Sequence, residues 1–424
     1  MCPVRVQRAY GRAQFMELAA LFILQWMAFS AWMVPLTLVL NAHGYQRIQP
    51  FAFATMAVAA FVSPLFFGAM ADRHMPPARV LRRLSFATAA LTALAGAAIQ
   101  QGWSAWWVLV IIQAHALCAV PTASISTAIV LSTVREPRKD FGPIRGMGTI
   151  GWMAGCWLVS LLNADASTVA AFSSAGLWVG LGLFTFVLPD VEPLKSATHL
   201  TWRERLGLDA LSLLKKPDHR VVFLSSCLLN IPLAAFYPYT PLHLHDLGMN
   251  HPSGWMSLAQ TTEIVAMFGL GALLLRWRLK WILLAGIGFA LFRYVLFALD
   301  GKSLLLAGIV LHGITYTLFF TTAQIYVNDR VDAGWRTRAQ ALLTLMNGGV
   351  GYLIGYLGCG WWFRVCTVNG VTDWPRYWGV LAAVVAAVTV YFLAAYHGTG
   401  HGLKPARSIN PEMEEGNRDE GIQR

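Results

Sequence analysis

The sequence predicts an all-α membrane protein with twelve transmembrane helices in two six-helix bundles and with both termini in the cytoplasm. Three observations lead to this fold class. Of the 424 residues, 56% are hydrophobic and only 12% are charged, whereas a soluble domain carries about 25% charged residues. The other two observations are apolar runs of membrane-spanning length and an uneven distribution of positive charge along the chain.

Each apolar run is long enough to cross a bilayer as a helix, which takes about 20 residues. The first run follows a basic leader with Arg5, Arg8 and Arg12 and lacks a small-residue cleavage site, so it predicts a retained helix and not a signal peptide. Twelve runs are found, at residues 15–40, 50–71, 80–100, 104–132, 143–163, 168–189, 220–244, 253–276, 280–298, 303–327, 339–363 and 375–396.

Positive charge divides the connections between these runs into two classes. One set of alternate connections, together with the termini, carries 27 of the 32 lysines and arginines. The other set carries four, and Arg293 lies inside a run. Because lysine and arginine are enriched on the cytoplasmic side of a membrane, this imbalance places both termini in the cytoplasm and requires an even number of helices.

The longest internal polar segment divides six runs from six. Two parallel six-helix halves are typical of transporters whose substrate site lies between the halves near the membrane midplane. Within the linker, residues 205–216 show helical spacing of apolar residues and basic ends, which indicates a short interfacial helix; a solvated linker is the alternative. The predicted units are an N-terminal bundle at 1–189, a cytoplasmic linker at 190–219, a C-terminal bundle at 220–396 and a disordered cytoplasmic tail at 397–424.

Composition and motifs also exclude several classes of protein. The six cysteines show no C-x-x-C pairing, so they predict neither disulfides nor a metal site. The net charge of +11 is dispersed over short connections, which fits membrane topology better than nucleic-acid binding. No H-E-x-x-H or G-x-S-x-G motif occurs, so no enzyme is indicated. We expect no cofactor, and a monomer in the lipid bilayer.

The fifth run contains an anomaly, an arginine in an apolar, glycine-rich helix. Arg145, Thr149 and Trp152 share one helical face. A charge at membrane depth costs at least ~2.5 kcal/mol, so Arg145 is expected to face a partner or a ligand cavity. The alternative is that Arg145, only two residues after Pro143, extends to the lipid headgroups.

Glycines in two of the runs predict close helix packing, because small residues three and four positions apart share a helix face and let helix backbones approach in lipid. In the fifth run they form a stripe beside the arginine face, so one face packs while the other meets a ligand. In the eleventh run they predict a tightly packed or moving interface. The glycines are Gly148, Gly151 and Gly155 in the fifth run and Gly348, Gly351, Gly355 and Gly358 in the eleventh.

The eighth run carries a carboxylate several residues inside the span. Gln260 and Glu263 lie three residues apart and therefore project in the same direction. An intramembrane carboxylate is able to exchange a proton, which proton-coupled transport requires. The alternative is a structural role, for example pairing with the cation Arg293, and the two roles are compatible.

Polar and aromatic residues also alternate on one face of two further runs. His312, Tyr316 and Phe320 follow at four-residue steps in the tenth run, and Gln25 and Phe29 have the same spacing in the first. Such faces suit a planar polar ligand through stacking and hydrogen bonding. Aromatic packing within the bundle is the alternative reading of both.

The connection after the second run reads GAMADRH. The spacing of Gly68, Asp72 and Arg73 resembles the G-x-x-x-D-R motif found between the second and third helices throughout the major facilitator superfamily. This resemblance implies a major facilitator fold, and a conformational latch that ties helix ends together on the cytoplasmic side. A solvated turn is the alternative.

A wider resemblance joins these features. The segments FGPIRGMGTIGW, LGLDAL, AQTTE, LHGITY, RAQALLTLMNGGVG and NGVTDW, in this order along the chain, look like the nucleoside:H+ symporter family of the major facilitator superfamily. The resemblance implies uptake of nucleosides driven by the proton gradient across a bacterial inner membrane. By matching motifs, it implies a substrate site lined by Arg145, Thr149, Trp152, Gln260, Glu263, His312 and Tyr316.

Several positions depart from the family pattern. Thr317 stands where the tenth-run motif usually has an aspartate, which leaves Glu263 as the candidate for proton coupling. Leu233 and Phe236 stand where some relatives have amides, and Asn230 is a candidate replacement. Two alternatives stay open: a proton-linked or uncoupled carrier of sugars or other polyhydroxylated solutes, and a membrane sensor of the same fold that does not transport.

Overall fold

The computed structural model describes residues 11–71, 75–134, 137–188 and 201–398, and this part of the chain is almost entirely helical. Of the predicted latch, Gly68 lies in a helix near its end, whereas Asp72 and Arg73 lie outside the described residues. The predicted tail also lies outside them from residue 399 onward.

The first half of the chain forms helices joined by short connections. The first of them breaks near Pro35, because a proline has no N–H to bond to the carbonyl of Ala31 and its ring clashes with that carbonyl. A 3-10 turn, Gln46–Ile48, precedes the third helix. The helices are α1 (Arg12–Met33), α2 (Leu36–Ala42), α3 (Gln49–Ala71), α4 (Pro77–Gln100), α5 (Ala105–Thr133), α6 (Pro137–Leu161) and α7 (Val169–Phe184).

The second half begins in the linker and repeats the same pattern. Its first long helix breaks at Ala234 and Ala235, four residues before Pro238, for the same reason as at Pro35. The helices are α8 (Trp202–Arg205), α9 (Pro217–Leu233), α10 (Phe236–Asp246), α11 (Pro252–Met256), α12 (Leu258–Arg276), α13 (Leu279–Ala298), α14 (Lys302–Thr315), α15 (Thr322–Arg330), α16 (Arg336–Thr344), α17 (Tyr352–Cys366) and α18 (Trp374–Ala395).

Eight helical stretches within the described residues are long and apolar enough to cross a membrane. The first half also contains α3, α4 and α6, and the shorter apolar helix α7. The eight stretches are Arg12–Ala42, Ala105–Thr133, Pro217–Asp246, Pro252–Arg276, Leu279–Ala298, Lys302–Arg330, Arg336–Cys366 and Trp374–Ala395.

Helix packing in the two halves follows the same scheme. In the first half, α1 packs on α6 and α7, α4 on α5 and α7, and α3 on α5. In the second half, the helices at the equivalent places make the same five pairs: α9 packs on α17 and α18, α13 on α14 and α18, and α12 on α14. The chain therefore consists of two bundles with the same internal arrangement, as expected for parallel repeats.

Glycines allow the closest of these contacts. A Cβ atom on Gly151 would collide with the carbonyl oxygen of Ile23, so α6 approaches the backbone of α1 directly. In the second bundle, a Cβ atom on Gly355 would lie 2.6 Å from the carbonyl oxygen of Ile231, which brings α17 equally close to α9. These contacts agree with the packing expected from the glycine spacing.

The predicted glycine stripe of the eleventh run is only partly correct. A Cβ atom on Gly351 would lie 2.7 Å from the carbonyl oxygen of Cys227, but Gly348 and Gly358 have nothing within 4 Å of an added Cβ among the described residues. Gly349 packs instead against the ring of Phe61 on α3. The stripe shifts because this part of the helix is a π-helix.

Two π-helical segments interrupt the second bundle, Tyr316–Thr321 between α14 and α15 and Leu345–Gly351 between α16 and α17. The extra residue in a π-turn rotates all later side chains around the helix axis, and such segments are frequent at functional sites. A helical wheel with 3.6 residues per turn therefore assigns faces incorrectly beyond these points.

A short hairpin follows α17. Strands β1 (Thr367–Val368) and β2 (Val371–Thr372) pair antiparallel, with Thr367 opposite Thr372. Asn369 and Gly370 both have positive φ angles, of 50° and 81°. Asn-Gly is the sequence that this kind of two-residue turn favours.

The linker is tied to the second bundle. Within residues 205–216, where the sequence predicts a short interfacial helix, the structure has a 3-10 helix, Leu208–Lys215, which follows α8. Glu204 accepts hydrogen bonds from the backbone N–H and the hydroxyl of Thr201, and forms an ion pair with Arg338 of α16 at 2.9 Å. These contacts, chiefly the backbone hydrogen bond, lower the pKa of the Glu204 carboxyl.

The two bundles face each other through α3 with α17 and through α6 with α12. The end of the molecule that carries the linker and α16 is called the linker end below. The end that carries the connections after α2, α6, α10 and α17 is called the opposite end. The helices run alternately between these ends.

Candidate substrate site between the bundles

Two unpaired charges lie on facing helices of the two bundles. Arg145 on α6 is exposed, and Glu263 on α12 is half-buried. Neither forms a hydrogen bond or an ion pair with the described residues, yet Arg145 is close enough to act electrostatically on both Glu263 and Tyr316. The predicted cation and carboxylate thus lie on facing helices at the seam between the bundles.

An aromatic bridge crosses the same seam nearer the opposite end. The ring of Trp152 lies 6.0 Å from that of Trp26 in its own bundle and 5.4 Å from that of Tyr237 in the other. The indole N–H of Trp152 is buried and has no hydrogen-bond partner among the described residues. Thr149, one turn toward the linker end, is half-buried. The predicted α6 face therefore points into the seam.

Gln260 supports this bridge. Its amide oxygen accepts from the hydroxyl of Tyr237 at 3.3 Å, and its nitrogen donates to the carbonyls of Ser257 and Met256, both at 3.2 Å. The side chain is only 4% exposed. Gln260 thus holds Tyr237 in place and has little capacity left for a ligand in this conformation.

His312 and Tyr316 form the wall of the second bundle. The His312 ring stacks on Phe236, with 4.0 Å between centroids and 9° between planes, and lies 6.1 Å from the ring of Tyr237. A Cβ atom on Gly313 would collide with the backbone of Glu263, so α14 packs directly on α12 at this point. This close approach brings together the two helices that carry His312 and Glu263.

The other predicted site residues lie inside their own bundles. Gln25 is fully buried and donates to Thr122 of α5 at 3.1 Å. Phe29 packs edge-on against Trp178, 5.2 Å between centroids. Asn230 is 2% exposed and donates to the carbonyl of Ser226 in its own helix. The geometry gives these three side chains supporting positions rather than ligand contacts, and their predicted role in binding stays a prediction.

At the opposite end, hydrogen bonds join the two bundles. Asp165, after α6, accepts from the backbone N–H of Ser253 at 2.7 Å and from the hydroxyl of Ser160 at 3.2 Å. The Ser160 hydroxyl accepts from the backbone N–H of Gly254 at 2.8 Å, and the Ser160 carbonyl lies 3.0 Å from Nδ1 of His251. This end is closed by direct protein contacts.

On the side of α6 that faces the seam, exposure rises toward the linker end. Ser160 is 1% exposed and bonded to the other bundle, Trp152 is half-buried against Tyr237, and Arg145 is exposed. The seam is therefore sealed at the opposite end, whereas Arg145, toward the linker end, is exposed.

Comparison with known proteins identifies the family of the chain. The family described as "Nucleoside H+ symporter" matches residues 13–400. The chain belongs to the nucleoside H+ symporter family. As a member of this family it is a membrane transporter and not an enzyme, and nucleoside transport, predicted from the sequence, is confirmed as its function.

Relatives and solved structures extend the match. YegT of Escherichia coli (strain K12) is 35% identical over 397 residues, which cover 89% of this chain and 92% of YegT. The nucleoside permease NupG of the same organism is 26% identical over 363 residues, 81% of this chain and 86% of NupG. A crystal structure of NupG aligns with 91% of this chain and with 99% of the NupG chain, with a TM-score of 0.80 and 23% sequence identity. A bacterial homologue of the human lysosomal transporter Spinster has a TM-score of 0.68 at 12% identity, over 91% of this chain and 95% of its own.

The sequence of this symporter-family member did not reveal every residue of the site. Trp26, Phe236 and Tyr237 contribute rings to the wall, and Arg293 contacts His312 instead of Glu263, the partner considered from the sequence. Tyr237 lies in NIPLAAFYPY, beside the helix break. Helical periodicity does not predict the direction of a side chain next to a break, so the sequence did not identify this residue.

Proposed function

We propose that the protein imports nucleosides together with protons by alternating access between its two bundles. The observation that carries this proposal is the charged pair Arg145 and Glu263, which lies on facing helices and has no partner among the described residues. Buried or membrane-embedded charges are normally paired, so two unpaired ones at a seam favour a site completed by a polar solute.

The chemistry of the wall suits a nucleoside. The guanidinium of Arg145 offers a planar set of donors to carbonyl or hydroxyl oxygens of the solute. The rings of Trp152 and Tyr316 offer apolar faces against which a base can stack. Glu263 accepts from a ribose hydroxyl when ionised, and becomes a donor when it carries a proton.

Proton coupling is assigned to Glu263. Thr317, at the position of the family aspartate, is fully buried, and its hydroxyl has no partner among the described residues. Since a threonine hydroxyl does not titrate, this leaves Glu263 as the carboxylate in the site. A proton on Glu263 removes its charge, which changes both the attraction to Arg145 and the cost of closing the seam around the solute.

The membrane topology and the conformational state of the transporter follow from the same proposal. We assign twelve transmembrane helices, the eight apolar stretches together with α3, α4, α6 and α7, and place the linker end in the cytoplasm because positive charge concentrates there. With the opposite end closed, the structure is then the inward-open state. Gly68, Asp72 and Arg73 would act as the latch at the cytoplasmic end, in a monomer of the bacterial inner membrane.

A carrier of sugars is the second candidate, because Leu233 and Phe236 are buried apolar residues at places where some relatives have amides. Uptake into proteoliposomes separates the two. Uridine and adenosine should enter with an imposed proton gradient and fail to accumulate with a protonophore, and a disaccharide should not enter. Uptake of the disaccharide alone would refute nucleoside transport, and ligand-induced thermal stabilisation without any flux would favour a sensor.

The site itself is tested by Arg145→Lys. A lysine keeps the charge but loses the planar set of donors, so nucleoside affinity should fall about tenfold or more. Arg278→Lys, an exchange at an exposed position in the connection between α12 and α13, is the matched control and should bind as the unmodified protein does. Unchanged affinity in Arg145→Lys would place this side chain outside the site.

A further inference from the structure

We infer that Arg293 is a positioning residue that fixes the tautomer of His312, so that this histidine presents a ring N–H donor to the solute. The inference rests on the proposed function, because it assigns His312 a defined role in the same site. Arg293 itself lies behind the wall on α13 and is only 1% exposed.

The guanidinium of Arg293 is surrounded by rings. Its Nη1 lies 2.7 Å from Nδ1 of His312, and its Nη2 donates to the hydroxyl of Tyr294 at 2.9 Å. Its central carbon lies 4.6 Å from the ring centroid of Tyr294 and 5.3 Å from that of Phe236. No carboxylate of the described residues pairs with it. Cation–π contacts and the histidine nitrogen therefore stabilise this buried cation.

The direction of the bond to His312 follows from the chemistry of the two groups. A guanidinium has five N–H donors and no acceptor, so Nδ1 of His312 must accept. A neutral imidazole that accepts at Nδ1 carries its hydrogen on Nε2. The hydrogen-bond partner of one ring nitrogen thus decides the state of the other.

The second nitrogen is available to a ligand. Nε2 forms no hydrogen bond with the described residues and is not among their fully buried, unpartnered polar atoms. The ring cannot tilt easily, because it is stacked on Phe236 and because the Tyr237 ring meets it at 74°. A donor held in this way suits an acceptor on the solute, such as a carbonyl oxygen or a ring nitrogen of a base.

Phe236 gains a role from this arrangement. Its ring holds His312 flat and lies within reach of the Arg293 charge. The stack and the arginine contact act on the same imidazole ring.

The test is nitrogen-15 NMR of histidine-labelled protein in lipid nanodiscs, with the His312 signals assigned by their loss in His312→Gln. In the unmodified protein without solute, His312 should show an unprotonated Nδ1 and a protonated Nε2. A protonated Nδ1 would overturn the inference, whatever the transported solute is. The measurement therefore stands apart from the uptake panel, which tests the proposed function.

Substitutions at Arg293 supply the second readout. Arg293→Met should populate both tautomers and weaken nucleoside binding roughly tenfold, whereas Arg293→Lys, which retains a donor, should restore the single tautomer and most of the affinity. Tyr294→Phe, which removes only the other hydrogen-bond partner, is the control. Unchanged His312 signals in Arg293→Met would show that the arginine does not position the ring, even if nucleoside transport is intact.

Discussion

Replacement of Asp165 by alanine should open the end of the transporter that is closed in this structure. The Asp165 carboxylate accepts from Ser253 N–H at 2.7 Å across the seam, and holds Ser160, whose hydroxyl accepts from Gly254. A hydrogen bond to a charged group contributes about 1.5–3 kcal/mol net. Because ~1.4 kcal/mol corresponds to a factor of ten, the ratio of closed to open molecules should fall roughly ten- to hundredfold.

Double electron–electron resonance measures this shift. Spin labels replace Leu162 and Asn250, two exposed residues near this end in different bundles, after replacement of the native cysteines. The unmodified protein should show mainly a short distance, and Asp165→Ala should add a longer one. Ser167→Ala is the matched control, because among the described residues its hydroxyl accepts only from the N–H of Val169, at the start of α7 in the same bundle. An unchanged distance distribution in Asp165→Ala, or an equal change in Ser167→Ala, would refute the reasoning.

Two further predictions concern packing and the linker. Gly151→Ala should lower the melting temperature, because the added Cβ meets the Ile23 carbonyl and overpacking costs about 1–3 kcal/mol. Gly146→Ala is the control and should leave the melting temperature unchanged, because an added Cβ there has nothing within 4 Å among the described residues. The hydrogen bonds and the ion pair of Glu204 stabilise the linker at pH values above the ordinary pKa of a glutamate carboxyl. Because these contacts lower the pKa of Glu204, the stabilisation is lost as the pH falls through the lowered pKa. The protection of linker amides from hydrogen exchange, measured relative to the intrinsic exchange rate at each pH, should therefore decrease in acid, and Glu204→Gln should remove this dependence.

Each of these has a clear contrary result. Equal melting temperatures for the two glycine variants would show that α1 and α6 separate without cost. An acid-induced change of the same size in Glu204→Gln would assign the pH dependence of the linker to another group. Arg338→Met provides a second check, because it removes the cationic partner of Glu204 and should raise linker exchange at neutral pH.

The sequence was sufficient to predict what depends on long-range patterns. Apolar runs gave the helices, and the rarity of charges within them indicated Arg145 and Glu263, because a charge in a membrane has few tolerable places. Glycine spacing predicted that the fifth run packs closely against a neighbouring helix, because small side chains let two helix backbones approach. The structure identifies this neighbour as α1.

Features that depend on three-dimensional contacts between distant residues were not predictable. Tyr237 reaches Trp152 only because the helix breaks before it, and Arg293 contacts His312 only because α13 packs on α14. The shift from Gly348 to Gly349 in the packed interface follows from a π-turn, which has no simple sequence signature. Buried side chains such as Gln25 and Asn230 have the spacing of ligand residues, but their bonds lie within their own bundles.

The most direct test of the account is accumulation of labelled uridine by proteoliposomes that contain Glu263→Gln, compared with counterflow exchange by the same preparation. If Glu263 carries the coupled proton, the variant should exchange uridine across the membrane but no longer concentrate it when a proton gradient is applied. Accumulation against the gradient at the rate of the unmodified protein would contradict the assignment of proton coupling to the charged pair between the bundles.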